Sequence, residues 1–304
     1  MVEFYLRKYS IDIFSHTALI GFEKAKTLNW IPDFQHIRLS EMFRKKDIKK
    51  RNKPTIRLIK KSDGIVLSSY DSLKDFKELT KDNSNKAFVL QFVSQPGIYV
   101  ENNEEEINKI REKYKIEDDF FFIPNQFWKH KNHLVVFKAL KLLKDRGINI
   151  TLVCTGLLDD FRNKEHGSII KQYITENQIN VFLLGLIDYH EVVLFLKYSI
   201  AVINPSFFEG WSSSVEECKS LGKNMILSNI EVHREQNPVN SFYFDPNDVE
   251  KLSQLLEFHI SNKGKVMKLY TKIEFDESIK RRTEEFAKRY ELIVKNVIIN
   301  NKYL

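Results

Sequence analysis

Residues 206–221, SFFEGWSSSVEECKSL, constrain this chain more than any other stretch. An apolar run at 200–203 precedes them and reads as a buried strand. After Gly210 comes a serine cluster, Ser212 to Ser214, followed by Glu216 and Glu217. Ser213 with Glu216, and Ser214 with Glu217, both fit the capping-box spacing that opens a helix. The segment is therefore a strand, a tight glycine-containing loop and the first turn of a helix. That geometry leaves backbone N–H groups unpaired with the helix dipole behind them, which suits a phosphate. Glu216 and Glu217 equally fit an ordinary part in capping the helix and complementing its dipole, worth about 0.3–1 kcal/mol each. The local pattern leaves both readings open.

Strand-like and helix-like segments alternate along the rest of the chain. The early part offers a strand at 10–15, a helix at 17–28, the Pro32-containing segment 30–36, a helical turn at 55–61, a strand at 63–69, a helix at 72–79 and a strand at 87–92. A charged helical connection at 102–114 follows. The later part offers strands at 120–124, 148–154, 181–184, 200–203 and 224–228, with helices at 134–145, 168–176, 189–197 and 249–258. Such alternation predicts an α/β fold built on parallel, helix-flanked sheets. Ligands of such sheets sit at the carboxyl ends of the strands. Asn125 and the rest of the 125–133 loop, Thr155-Gly156, Gly185-Leu186 and Glu209-Gly210 all follow strands, and they are expected to converge on one edge.

The net charge of +7 is unevenly placed. Between Arg38 and Lys61 lie eleven cations against only Glu41 and Asp47. A cluster of that density attracts anionic lipid headgroups, or else is a solvated helix face. Phe43 is the only aromatic within it, so the stacking side chains of a nucleic-acid site are missing and no nucleic-acid partner is expected. Cys154 and Cys218 are the only cysteines, and each lies in core-like sequence. Two buried, reduced thiols in the cytoplasm are expected. The sequence has neither an apolar run of about 18 residues nor the pattern of a secretory leader at residues 1–14. His130 and His133 lack the spaced partners that a metal site would need, and none is expected.

Seven residues separate Glu209 from Glu217, and together they resemble the Glu-x7-Glu signature of retaining glycosyltransferases with the GT-B fold, family 4 in particular. The resemblance implies that Glu209 lies beside the transferred sugar, while Glu217 holds the ribose hydroxyls of a nucleotide. A carboxylate suits both tasks because it accepts two hydrogen bonds from vicinal hydroxyls. Gly210, Trp211, Ser212 and Ser213 are then expected to offer backbone N–H groups to the sugar and diphosphate. The 125–133 loop resembles the family's phosphate-binding segment, an Arg followed five residues later by a Lys. Lys131 matches the Lys, whereas Gln126 stands where the Arg is expected. Trp128 fits either the core or a lid over the nucleotide. Trp30-Ile-Pro-Asp-Phe-Gln-His36 resembles the IPDxQH segment late in the family's first domain, and residues 229–235 and 242–248 resemble the segment that closes the second. The Asp-x-Asp metal motif of the other major glycosyltransferase fold is absent.

The resemblance implies two Rossmann-like domains, the N-terminal one incomplete. Residues 1–115 are expected to form the partial, acceptor-side domain, 116–275 the nucleotide-sugar-binding domain, and 276–304 a helix that crosses back. The implied activity is metal-independent transfer, without a cofactor, of a sugar from a nucleotide-diphosphate sugar to a glycan or lipid-linked acceptor in cell-surface polysaccharide assembly. The implied setting is the cytoplasm, at the inner membrane face, with residues 38–61 against anionic lipid. Either a second polypeptide is expected to complete the first domain, or the chain is a shortened gene product. The alternative is a nucleotide-sugar-binding remnant or subunit without activity of its own, and a nucleotide-sugar epimerase on the same fold is a more remote third.

Overall fold

The computed structural model describes residues 1–81, 86–96, 104–160, 162–263 and 272–299. They form two compact units. The first takes the described parts of Met1–Val93, Glu209–Trp211 and Ile279–Leu304, and the second those of Ser94–Phe208 and Ser212–Ser278. Residues 102–103 of the expected connecting helix, and 300–304 of the last one, lie outside the described residues.

In the first unit, helix α1 (Val2–Lys8) leads into strands β1 (Ile13–Thr17) and β2 (Lys26–Ile31). Short α2 (Gln35–Arg38), long α3 (Lys45–Lys61), β3 (Gly64–Leu67), α4 (Tyr70–Thr80) and β4 (Ala87–Val89) follow. The four strands pair in chain order and all run parallel. The helix expected at 17–28 is not formed. Its last three residues open strand β2, and the reason lies outside the segment. The Asp63 carboxylate accepts the backbone N–H of Thr27 at 2.8 Å and its hydroxyl at 2.9 Å, which fixes β2 beside β3. Burial of Thr27, Leu28 and Asn29 then outweighs local helix propensity. The turn expected at 55–61 grows into a helix from Lys45. Pro54 is tolerated within it because it is exposed, where water can serve the freed carbonyl.

The second unit runs through α5 (Glu104–Tyr114), β5 (Phe120–Ile123), α6 (His133–Asp145), β6 (Thr151–Cys154), α7 (His166–Asn177), β7 (Val181–Leu183) and α8 (Tyr189–Tyr198). It continues with β8 (Val202–Asn204), α9 (Ser213–Leu221), β9 (Met225–Ser228), α10 (Glu231–Gln236), β10 (Ser241–Phe244) and α11 (Val249–Ser261); helix α12 (Lys272–Ile299) follows, its residues from Ile279 on belonging to the first unit. Its six parallel strands lie in the order β10-β9-β8-β5-β6-β7. Strand order therefore reverses between β5 and β8, the topological switch point at which doubly wound sheets bind ligands. Central strand β5 is Phe-Phe-Phe-Ile with every residue buried, as a sheet covered on both faces demands. Phe121 and Ile123 pack with Val136, Phe137 and Leu140 of α6 and Leu252 and Leu256 of α11. Phe120 and Phe122 face the other way, onto Ile107 and Ile110 of α5, Phe195 of α8 and Val215 of α9. Cys154 and Cys218 are both buried as free thiols, and burial pushes both pKa values up.

Candidate functional site

A cavity of about 280 Å³ opens at the carboxyl ends of β5, β6 and β7. Pro124, Asn125, Gln126, Trp128 and Lys131 line it from the loop after β5, and Thr155 and Gly156 from the loop after β6. Gly185, Leu186 and Ile187 follow β7, and Val192 closes the lining from α8. Of the residues expected to converge, Asn125, Gln126, Lys131, Gly156 and Leu186 thus share one cavity.

Backbone hydrogen bonds lace the three loops together. The Gly156 N–H donates to the Gly185 carbonyl at 2.7 Å, and the Phe127 N–H to the Leu157 carbonyl at 3.1 Å. Gln126 Oε1 accepts the Leu157 N–H at 2.7 Å. Gly156 has φ +105°, and a Cβ there would stand 2.7 Å from the Asn125 carbonyl oxygen and 2.8 Å from Gln126 Cα. Only glycine fits so close an approach of one backbone to another.

The loop carrying Lys131 is held at both ends. Asn132 takes a left-handed conformation and donates from Nδ2 to the carbonyls of Pro205, at 3.1 Å, and Pro246, at 2.7 Å. Asp160 Oδ2 accepts the Lys129 N–H at 3.0 Å, while its Oδ1 accepts Arg162 Nε at 3.0 Å. Burial alone would raise the Asp160 pKa, but these donors hold it below the usual range. The Arg162 guanidinium lies over the Trp128 ring, 5.1 Å from its centroid. The 13-residue α6 begins at His133, directly after this loop, with its dipole-positive end there. His133 is itself buried against Phe127, and burial, then nearby His166 and Lys131, push its pKa down to about 3, so the ring is neutral. Among the described residues, Asn125 Nδ2 is a buried donor without a hydrogen-bond partner. A donor stranded in a cavity wall marks a place for an acceptor.

The Ser206–Leu221 stretch is distributed differently from its sequence reading. Helix α9 starts at Ser213 with Ser212 as its N-cap, so its third position is Val215 and the expected capping boxes do not form. Ser212 instead sits in a buried network: Asn204 Nδ2 donates to its hydroxyl at 2.9 Å, and Gln236 Nε2 to its carbonyl at 2.9 Å. Its N–H faces Gln236 Oε1 at 3.4 Å, whereas Ser213 is exposed at the first position of the helix. Glu216 Oε1 accepts from Lys219 at 3.1 Å and Gln236 at 3.0 Å. Glu217 Oε1 accepts the Tyr189 hydroxyl at 3.0 Å. Burial raises the Glu217 pKa despite that bond. Glu217 is not part of the cavity lining, but Tyr189 heads the helix that follows lining residues Leu186 and Ile187.

Glu209, Gly210 and Trp211 group with the first unit. Glu209 is buried, and Trp211 Nε1 donates to the Phe92 carbonyl at 3.0 Å. A Cβ on Gly210 would fall 2.3 Å from the Pro32 carbonyl oxygen, so glycine is obligatory beside the Trp30–His36 segment. Asp160, Arg162, Tyr189, Asn204 and Gln236 lie in no recognisable motif, and no sequence signal marks them.

Solved structures share this architecture. A glycosyltransferase from Rickettsia africae superposes with a TM-score of 0.73 at 20% identity, over 99% of this chain and 80% of that one. HepE from Anabaena, in complex with UDP and glucose, gives 0.72 at 14% identity over 95% and 80%. Sucrose-phosphate synthase from Thermosynechococcus elongatus gives 0.71 at 11% identity over 99% and 77%. No protein of curated function matches the chain in sequence. The model of the family glycosyl transferases group 1 matches residues 103–274, more than half of the chain and the whole of the cavity lining. The chain belongs to the glycosyl transferases group 1 family and is a glycosyltransferase of GT-B fold.

Proposed function

We propose that the protein is a retaining, metal-independent glycosyltransferase of family 4 that moves a sugar from a nucleotide-diphosphate sugar to a glycan or lipid-linked acceptor in cell-surface polysaccharide assembly. One observation carries this reading: the cavity beside the switch point is lined by Lys131 and by Asn125, whose Nδ2 has no partner among the described residues, on the loop that leads directly into α6. These groups suit a diphosphate whose charge grows as the glycosidic bond breaks. In this reading Lys131 and the α6 dipole meet that charge in place of a metal ion. Gln126 adds no charge of its own. Glu209 orients the sugar, Glu217 takes the ribose hydroxyls, and Gly210 to Ser213 lend backbone N–H groups, the parts that the Glu-x7-Glu resemblance implies. The departing diphosphate oxygen accepts the proton of the attacking hydroxyl. HepE, bound to UDP and glucose in its structure, supports a uridine nucleotide as the first donor to try.

No described helix is long and apolar enough to cross a membrane. Contact with anionic lipid at the cytoplasmic membrane face is assigned to α3, on which Lys46, Lys49, Lys50, Lys53, Arg57 and Lys60 are exposed. The deciding experiment is a thermal-shift screen against UDP, GDP, dTDP and their sugar conjugates. A nucleotide at 100 times its dissociation constant stabilises the fold by about 2.7 kcal/mol. A shift selective for one nucleotide supports the donor site and names the base, and a cooperative melt that no nucleotide moves overturns it. Donor binding without transfer to any acceptor would mark a donor-binding chain without activity of its own, the reading favoured by Gln126 in place of an Arg.

A further inference from the structure

The first sheet carries a second site-like arrangement at its own carboxyl-end edge. Leu28 and Trp30 alternate onto one face of β2. Leu28 is fully buried in a cluster with Ile293 and Val297 of α12, whereas Trp30 is 39% exposed. A half-exposed indole in a parallel strand whose neighbours Asn29 and Ile31 are buried is out of place in a sheet flanked by helices. Its orientation is nonetheless fixed, because Trp30 Nε1 donates to Ser68 Oγ at 2.9 Å. Beside it stands His16, whose ring centroid lies 6.4 Å from that of Trp30 and 5.8 Å from that of Tyr290 on α12. His16 is the extra residue where the β1–β2 register shifts, and its φ is +51°. A β-bulge of this kind re-aims one side chain, and a non-glycine residue held at positive φ is strain that ligand-binding sites accumulate.

We propose that Trp30, His16 and Tyr290 form a stacking platform for one pyranose ring of the acceptor. The C–H face of a pyranose is apolar and edged with partial positive charge, which complements the electron-rich face of an aromatic ring. Ser15, whose Oγ lies 2.8 Å from His16 Nδ1, supplies a hydroxyl of the kind that orients sugar hydroxyls. This inference rests on the glycan-acceptor reading above, but its test needs neither donor nor turnover.

The probes are methyl pyranosides of glucose, galactose, mannose and N-acetylglucosamine, followed by saturation-transfer NMR and by the Trp30 indole N–H resonance. At least one is expected to bind and to move that resonance. Trp30→Ala is expected to weaken it roughly tenfold, and Trp30→Phe, which keeps an aromatic face, by much less. His16→Gly provides a variant whose folding is not at risk, since glycine suits φ +51°. It is expected to melt no lower than the wild type and still to bind the sugar more weakly. Unchanged binding in Trp30→Ala and His16→Gly, or no saturation transfer to any pyranoside, overturns the platform. A failed nucleotide shift in the same wild-type sample would count against the donor site alone.

Discussion

Gln126, in the cavity wall, accepts the Leu157 N–H at its Oε1 at 2.7 Å. The side chain that occupies the position of an expected arginine is thus spent on tying the β5 loop to the β6 loop. Gln126→Ala is expected to lower stability by about 1 kcal/mol, the net worth of one such bond, and to weaken nucleotide binding several-fold through loosening of the wall. Titration calorimetry beside a denaturant melt checks both. Full affinity with a lowered melt would make the bond purely architectural.

Gly156→Ala tests the same wall by sterics. At φ +105° with backbone 2.7 Å from the new Cβ, the loops must part. The expected cost is about 1–3 kcal/mol, with nucleotide binding lost. Gly147→Ala is the control: its φ is +82°, but nothing lies within 4 Å of the added methyl, so it should cost stability and leave the nucleotide affinity alone.

Glu217→Gln should separate stability from function. Burial raises the Glu217 pKa, so the native state holds this proton more tightly than the unfolded chain does. Its contribution favours folding below the ordinary glutamate value of about 4.3 and is lost as pH rises through the native value. The glutamine variant is therefore expected to be more stable than the wild type at pH 7, with the difference vanishing below about pH 4, and to bind nucleotide more weakly. Paired urea melts at several pH values, with nucleotide titrations at pH 7, give the answer. A variant less stable at neutral pH would show that the charge is well solvated.

Lys223 reports from the other end of the scale. Its Nζ is buried against the carbonyls of Lys197, at 3.0 Å, and Ser199 at the end of α8, and burial pushes its pKa down to about 8. Between that value and the unfolded one near 10.4 the unfolded chain binds the extra proton, so stability rises with pH. The wild type minus Lys223→Met difference should be flat below pH 8 and climb above it, by up to about 1.4 kcal/mol per pH unit. A difference flat across pH 7–10 would place the amine in water.

Much of the second unit was legible in the chain itself. A four-residue run such as Phe120–Ile123, buried throughout, has no stable place except the centre of a covered parallel sheet, and the apolar runs that form β6, β8 and β9 repeat that logic. Loops between such strands and the helices after them must present backbone N–H groups at the carboxyl edge, which is why Asn125, Lys131, Gly156 and Leu186 could be named together from sequence. What stayed hidden depends on partners distant in the chain. Asp63 pairs with Thr27 on strand β2 from 36 positions away, Gln236 takes the Glu216 carboxylate that a capping box with Ser213 would have used, and Asp160 fixes the Lys129 backbone. Local spacing determined which elements this sequence forms in the second unit's sheet. Only the tertiary structure decided which polar side chains remain free for a ligand, because that depends on which of them the fold has already satisfied.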